Sequence, residues 1–214
     1  QAQPERVSMR LKANRYEAMH ADAQAVLDFW FGPPDDPGYV QTRPQWFRKD
    51  DAFDAAIAQR FGALIERALI GGIDDWIASP VAPLPALARV IVLDQFTRNS
   101  FRGTARAFAG DAMALQTARA LVASGADRQL AGVQRQFCYL PFEHAEDRAH
   151  QRTAVQLFEQ LGRDEPALAG LTEWAQRHLD IVARFGRFPH RNAALGRAST
   201  AEEIAFLQQP GSSF

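Results

Sequence analysis

Apolar residues recur every three or four positions along almost the whole chain, and no run alternates apolar and polar residues between turn signals as a strand would. The pattern predicts an all-α protein. A first helix covers about Asp22 to Phe31 and stops at Gly32-Pro33-Pro34, because proline cannot continue a helix and restrains the residue before it. After a polar loop to about Lys49, Asp50 or Asp51 caps a long helix reaching Gly71-Gly72. A short element around Trp76 precedes a proline-rich break from Ser79 to Pro85. Further helices are expected over about Pro85 to Arg102, Thr104 to Ser124 with Gly125 as its stop, and Leu130 to Tyr139. Beyond Pro141 the pattern predicts helices over about Phe142 to Leu161 and Ala167 to Phe185, the latter ending at Gly186. Thr200-Ala-Glu-Glu203 has capping-box spacing for a last short helix ending near Gln208. Short connections make these about eight helices pack as antiparallel hairpins.

Three helices place polar residues on the face they should bury, which is found by unrolling each at about 100° per residue. In the third, Leu87, Ala88 and Ile91 share an arc with Asp94, Gln95, Arg98, Asn99 and Arg102, while Val90, Val92, Leu93 and Phe96 cover the remainder. A helix apolar on nearly all sides is a core element. In the sixth, the arc of Ala154, Leu157, Phe158 and Leu161 also carries Glu143, Asp147 and Gln151, with His150 at its edge. In the seventh, His178 falls within the stripe of Leu171, Trp174, Ile181, Val182 and Phe185. Buried charges are costly unless paired, so these residues are expected to converge on one polar pocket, closed by Arg187, His190, Arg191 and Asn192 of the following loop. Each piece also has a plainer reading: Asp94 and Arg98 as a structural i,i+4 pair, the acids from Glu143 to Asp147 as complements to a helix dipole, and His178 as a satisfied core histidine.

Composition narrows the chemistry. With 47% hydrophobic and 23% charged residues over 214 positions, the chain reads as a loosely held extension, residues 1–20, and a single helical domain, 21–214. A formal net charge of -1 leaves no broad positive field, so nucleic acid is not an expected partner. Twenty-two arginines against two lysines make most cations suited to forked contacts with carboxylates or phosphates, although a GC-rich genome gives the same bias. The lone Cys138 excludes an internal disulfide framework, the first residues offer no apolar run for a signal peptide, and no membrane span is present; a cytoplasmic protein is expected.

Asp147-x-x-His150 has the spacing of carboxylate-bridged helical metal proteins, but those need the motif twice, HExxH is missing, and nearby arginines repel a cation. Neither a metal nor a cofactor is expected. GxGxxG, GxxxxGK[ST] and GxSxG do not occur, and Cys138 in FCYLPF reads as core. What remains is a site in which Arg98, Arg102, Arg187 and Arg191, with Asp94, Asn99, His190 and Asn192, hold a small anionic or polar molecule. His144 or His178, positioned by Glu143 or Asp147, would transfer protons, which makes these four the catalytic candidates of a metal-independent enzyme. The alternative is a helical-repeat adaptor that binds a peptide or protein through Trp30, Phe31, Trp46 and Phe47, with the polar cluster structural; a third reading has the cluster only fixing helix register.

The strings VLDFWFG, LDQFTRNSFRGTARAF, FCYLPFEHAED and RFGRFPHRNAALGRAST resemble an uncharacterised bacterial family, domain of unknown function 924, over about residues 24 to 208. The resemblance implies helix hairpins stacked as in tetratricopeptide-repeat proteins, and it carries over no catalytic residues. The chain departs from the family pattern at Thr97, Ser100 and Ala145, where proline, a larger apolar residue and serine are expected.

Overall fold

A computed structural model describes residues 19–214; the expected extension falls almost wholly outside them. Among the described residues all regular structure is helical, and no helix is long and apolar enough to cross a membrane. Helix α1 (Ala21–Phe31) ends at Gly32, whose φ of 84° turns the chain into Pro33. Helix α2 (Asp51–Leu69) is capped by Asp50, whose carboxylate accepts the Phe53 amide at 3.0 Å. A 3₁₀ turn at Asp74–Ile77 carries Trp76.

Helix α3 is the axle of the molecule. It runs through Pro83–Val90, a wide π-helical turn at Ile91–Phe96, and Thr97–Ser100. Every residue from Ala86 to Thr97 is buried, as an element apolar on nearly all sides requires. It packs against α1, α2, α4 (Asp111–Ser124) and α5 (Gly132–Glu143). Helices α6 (Arg148–Asp164) and α7 (Leu171–Phe185) form a hairpin stacked on α5, and the short α8 (Ala201–Leu207) follows a 3₁₀ turn at Pro189–Arg191.

Four expected boundaries move, among them the helix expected from Ala167, which begins at Leu171 after a 3₁₀ turn at Pro166–Leu168. The helix expected from Thr104 begins only at Asp111, after a 3₁₀ turn at Ala105–Phe108. Gly110 explains the break: a Cβ there would sit 2.2 Å from the Leu93 carbonyl oxygen, so the backbone packs directly on α3 at this point. Pro141 does not separate two helices but lies inside the last turn of α5, where its missing N–H forfeits a single helical bond. The next helix therefore starts at Arg148, and Glu143 is the last residue of α5, not part of α6. The capping box at Thr200 and Glu203 forms as the spacing predicts, with both reciprocal bonds at 3.1 Å.

Trp30, Phe31 and Trp46, expected as partner-binding anchors in the adaptor reading, are buried in an aromatic core with Phe96 and Phe137; Trp46 meets Phe137 edge-on at 5.0 Å between centroids. Phe47 alone of the four is exposed. Trp174, expected on the buried stripe of α7, is half exposed and lies under the Arg177 guanidinium, 4.9 Å from the ring centre. Gly110→Ala should destabilise the fold by about 2 kcal/mol or more through overpacking against α3, read as a lowered urea midpoint with unchanged slope.

Candidate functional site

The wide turn of α3 sets Asp94 in the middle of the protein with no exposed surface. Its Oδ1 lies 2.7 Å from His144 Nδ1 and 3.2 Å from an Arg98 nitrogen, and its Oδ2 accepts from Gln95 Nε2 at 2.7 Å. Burial alone would raise the pKa of this carboxyl, but His144 and Arg98 outweigh it and hold the group well below the usual carboxylate range. The backbone is drawn in as well, since the Asp94 carbonyl accepts from Arg98 at 2.9 Å and from the Thr97 hydroxyl at 3.3 Å. Arg98 also forks onto Asp111, the first residue of α4, with bonds of 2.7 and 3.0 Å.

The end of α5 delivers the next two groups side by side. Burial and the Arg98 charge lower the pKa of His144 against the opposing pull of Asp94. Facing an ionised Asp94, the ring carries a proton on Nδ1 and donates it to the carboxylate; in the neutral ring Nε2 keeps its lone pair. Glu143, buried and close to the Asp94 charge, has its pKa pushed up to about 8 and is protonated at neutral pH. Its Oε1 lies 3.1 Å from His178 Nδ1, which donates to the Trp174 carbonyl at 2.8 Å. Burial pushes the pKa of His178 down to about 3, so this ring is neutral. The two imidazoles are 6.4 Å apart.

The loop after α7 supplies a cation. Arg191 is sandwiched between Phe108 and Phe188, 4.6 and 4.7 Å from their ring centres, and donates to the His144 carbonyl at 2.9 Å. Burial first, then the Arg98 charge, draw its pKa down to about 10. Its Nε is buried without a partner among the described residues, as are His190 Nδ1 and Gln151 Oε1. Gln151 spends its amide nitrogen on the carbonyls of Glu143 and Ala145, at 2.5 and 2.8 Å, which pins the turn between α5 and α6. Glu146 holds the loop from the other side, accepting two bonds from Arg197 at 2.7 and 2.8 Å and the Phe188 amide at 2.8 Å.

The structure brings together Asp94, Arg98, Glu143, His144, His178, His190 and Arg191. It takes five expected site residues elsewhere. Asn99 and Arg102 face α2, where Asp54 accepts from Asn99 at 2.7 Å and from Arg102 at 2.5 and 3.0 Å. Arg187 and Asn192 both bind Glu203 of α8, at 2.9 and 2.8 Å, because that capping-box carboxylate is buried and needs them. Asp147 is exposed and caps α6 by accepting the His150 amide at 2.9 Å. Among the described residues no group of three or more histidines, cysteines and acids is arranged to hold a metal ion. Asp111 was missed because the helix was expected to run through it; Gly110 before an acid was the available sign of a new helix start. Phe108 and Phe188 left no signal, since what matters is their position on either side of Arg191.

Glu143 gives the site a pH signature. A carboxyl whose pKa is raised from 4.5 to about 8 contributes stability in full below pH 4.5 and loses it as the pH rises through 8. Between about pH 6.5 and 8.5 the histidines contribute alike to both proteins, and wild type should lose about 2 kcal/mol relative to Glu143→Gln in urea unfolding. A constant difference between the two proteins across that window would mean that Glu143 is ionised throughout.

The sequence profile of a bacterial protein family of unknown function, DUF924, matches residues 26–211. A solved structure of a protein of unknown function from Agrobacterium tumefaciens is similar, with 39% identity and a TM-score of 0.73 over 87% of this chain and 96% of that one. No curated protein matches the sequence. The chain belongs to the bacterial family DUF924.

Proposed function

We propose that the cluster is an acid–base site for a small anionic or polar metabolite, with His144 as the base, Glu143 as the proton donor and Arg191 as the anion-binding cation. The observation that carries this reading is Arg191. Its carboxylate contact is a long one, 3.5 Å to Asp111, burial draws its pKa down to about 10, and its Nε has no partner among the described residues, so an anion beside it would relieve a buried cation. Asp94 orients His144 through Nδ1 and leaves Nε2 free to accept a proton. Glu143, the preceding residue, is kept protonated by the same burial and the same Asp94 charge. A base and an acid with opposed pKa shifts, next to a fixed cation, is the combination needed to move a proton on an anionic substrate. The buried, unpaired thiol of Cys138 fits a reducing cytoplasm. The adaptor alternative draws on Phe47 alone among its expected anchors.

A thermal-shift screen of the purified protein against inorganic phosphate, simple carboxylates and sugar phosphates tests the proposal. A ligand at 100 times its dissociation constant adds about 2.7 kcal/mol, a readable rise in Tm. The rise should vanish in Arg191→Ala and shrink in Arg191→Lys, which keeps the charge but loses the planar fork. A His144→Gln variant should still bind. No rise with any compound, or an equal rise in wild type and both Arg191 variants, would leave the cluster an architectural network.

A further inference from the structure

After α8 the chain reverses at Gly211, where φ is 77°, and Ser212 is tied back to the Leu207 carbonyl at 3.3 Å. This reversal lays the Phe214 ring flat on His178, 3.7 Å between centroids and 20° between planes. The same ring meets His190 edge-on at 5.8 Å and Phe188 at 6.3 Å. Phe214 is nevertheless 47% exposed, whereas the rings it touches are buried or nearly so. It is thus a planar group resting on the wall of the acid–base cluster, held by ring contacts and one short turn.

The wall beneath it is already shaped for a ring. His178 is neutral and buried, its Nδ1–H is donated to the Trp174 carbonyl, and its flat face is the one that Phe214 covers. Phe188 and His190 border the same face, and Phe188 also stacks on Arg191, which sets the cation beside the ring position. Neutral imidazole and phenyl faces favour an aromatic ring over an aliphatic one, through offset stacking and edge contacts.

We propose that Phe214 occupies the ring subsite of this cluster, and that the ligand is an aromatic or heteroaromatic ring carrying a carboxylate or similar anion. The ring takes the place of Phe214 on His178, and the anion reaches Arg191. This rests on the acid–base reading of the cluster and names its substrate class. Displacing Phe214 breaks no buried ion pair, so exchange of one ring for another is a local event.

The test uses phenylacetate as probe, with cyclohexylacetate and acetate as controls, on wild type, Phe214→Ala and Phe214→Leu. The His178 ring protons are followed by NMR. In wild type the stacked phenyl ring shifts them upfield; both variants should lose that shift, and saturating phenylacetate should restore it while cyclohexylacetate does not. Phe214→Ala should bind phenylacetate about tenfold more tightly than wild type, a difference of about 1.4 kcal/mol. If the variants bind all three anions alike and the ring-current shift stays lost, the ring subsite is wrong while the anion site stands. If none of the three anions binds any of the proteins, but the sugar phosphates or phosphate of the thermal-shift screen do, the substrate class alone is overturned. Failure of every anion in both experiments overturns the acid–base reading together with this one.

Discussion

An ionised carboxylate with no exposed surface has to be compensated from all sides, and in this protein the compensation of Asp94 organises the packing of three elements. Gln95 and Arg98 come from its own helix, His144 from the end of α5, and Asp111 from the start of α4 through the shared Arg98. Each partner is useful only if its helix ends where it does. Gly110 lets α4 begin against the α3 backbone, and the terminal turn of α5 carries Glu143 and His144 inward together. Removing one member of such a network leaves another charge buried and unpaired, which costs more than the lost bond itself.

The same burial acts with opposite sign on acids and bases. It lifts Glu143 to about 8 and drops His178 to about 3, so two adjoining groups that would form an ion pair in water are both neutral here. Asp94 stays ionised because its cationic and hydrogen-bonding partners outweigh the desolvation that dominates at Glu143. Arg191 holds its charge between two aromatic faces, a setting that tolerates a cation without neutralising it. An anionic ligand would find its attraction undiluted by water, and the fixed rings around it would limit what shape that ligand takes.

Secondary residues expected in the site have become its scaffold. Asn99 and Arg102 fasten the end of α3 to Asp54 of α2, and Arg187 and Asn192 fasten the loop to Glu203 of α8. Asp147, as the cap of α6, fixes where the turn after His144 ends. Thr97, one of the family departures, uses its hydroxyl to bond the Leu93 and Asp94 carbonyls in the wide turn.

The all-helical class, the caps at Asp50 and Thr200, and the burial of Asp94 and His178 were legible in the sequence because they follow from local periodicity and from side chains bonding to their own backbone. Glu143 was legible as a buried acid although it was assigned to the wrong helix, since Pro141 reads locally as a break while the surrounding packing tolerates its one lost bond. Apart from the i,i+4 pair of Asp94 and Arg98, tertiary structure decided which arginine meets which carboxylate. Every arginine in this stretch has the same reach and the same fork, and only the relative placement of elements gives Arg98 to Asp111, Arg102 to Asp54 and Arg187 to Glu203. The aromatic sandwich of Arg191 and the Phe214 stack on His178 join positions far apart in the chain, so no periodicity could announce them. Periodicity says which face of a helix is inward; what that face meets is set by the packing of all the others.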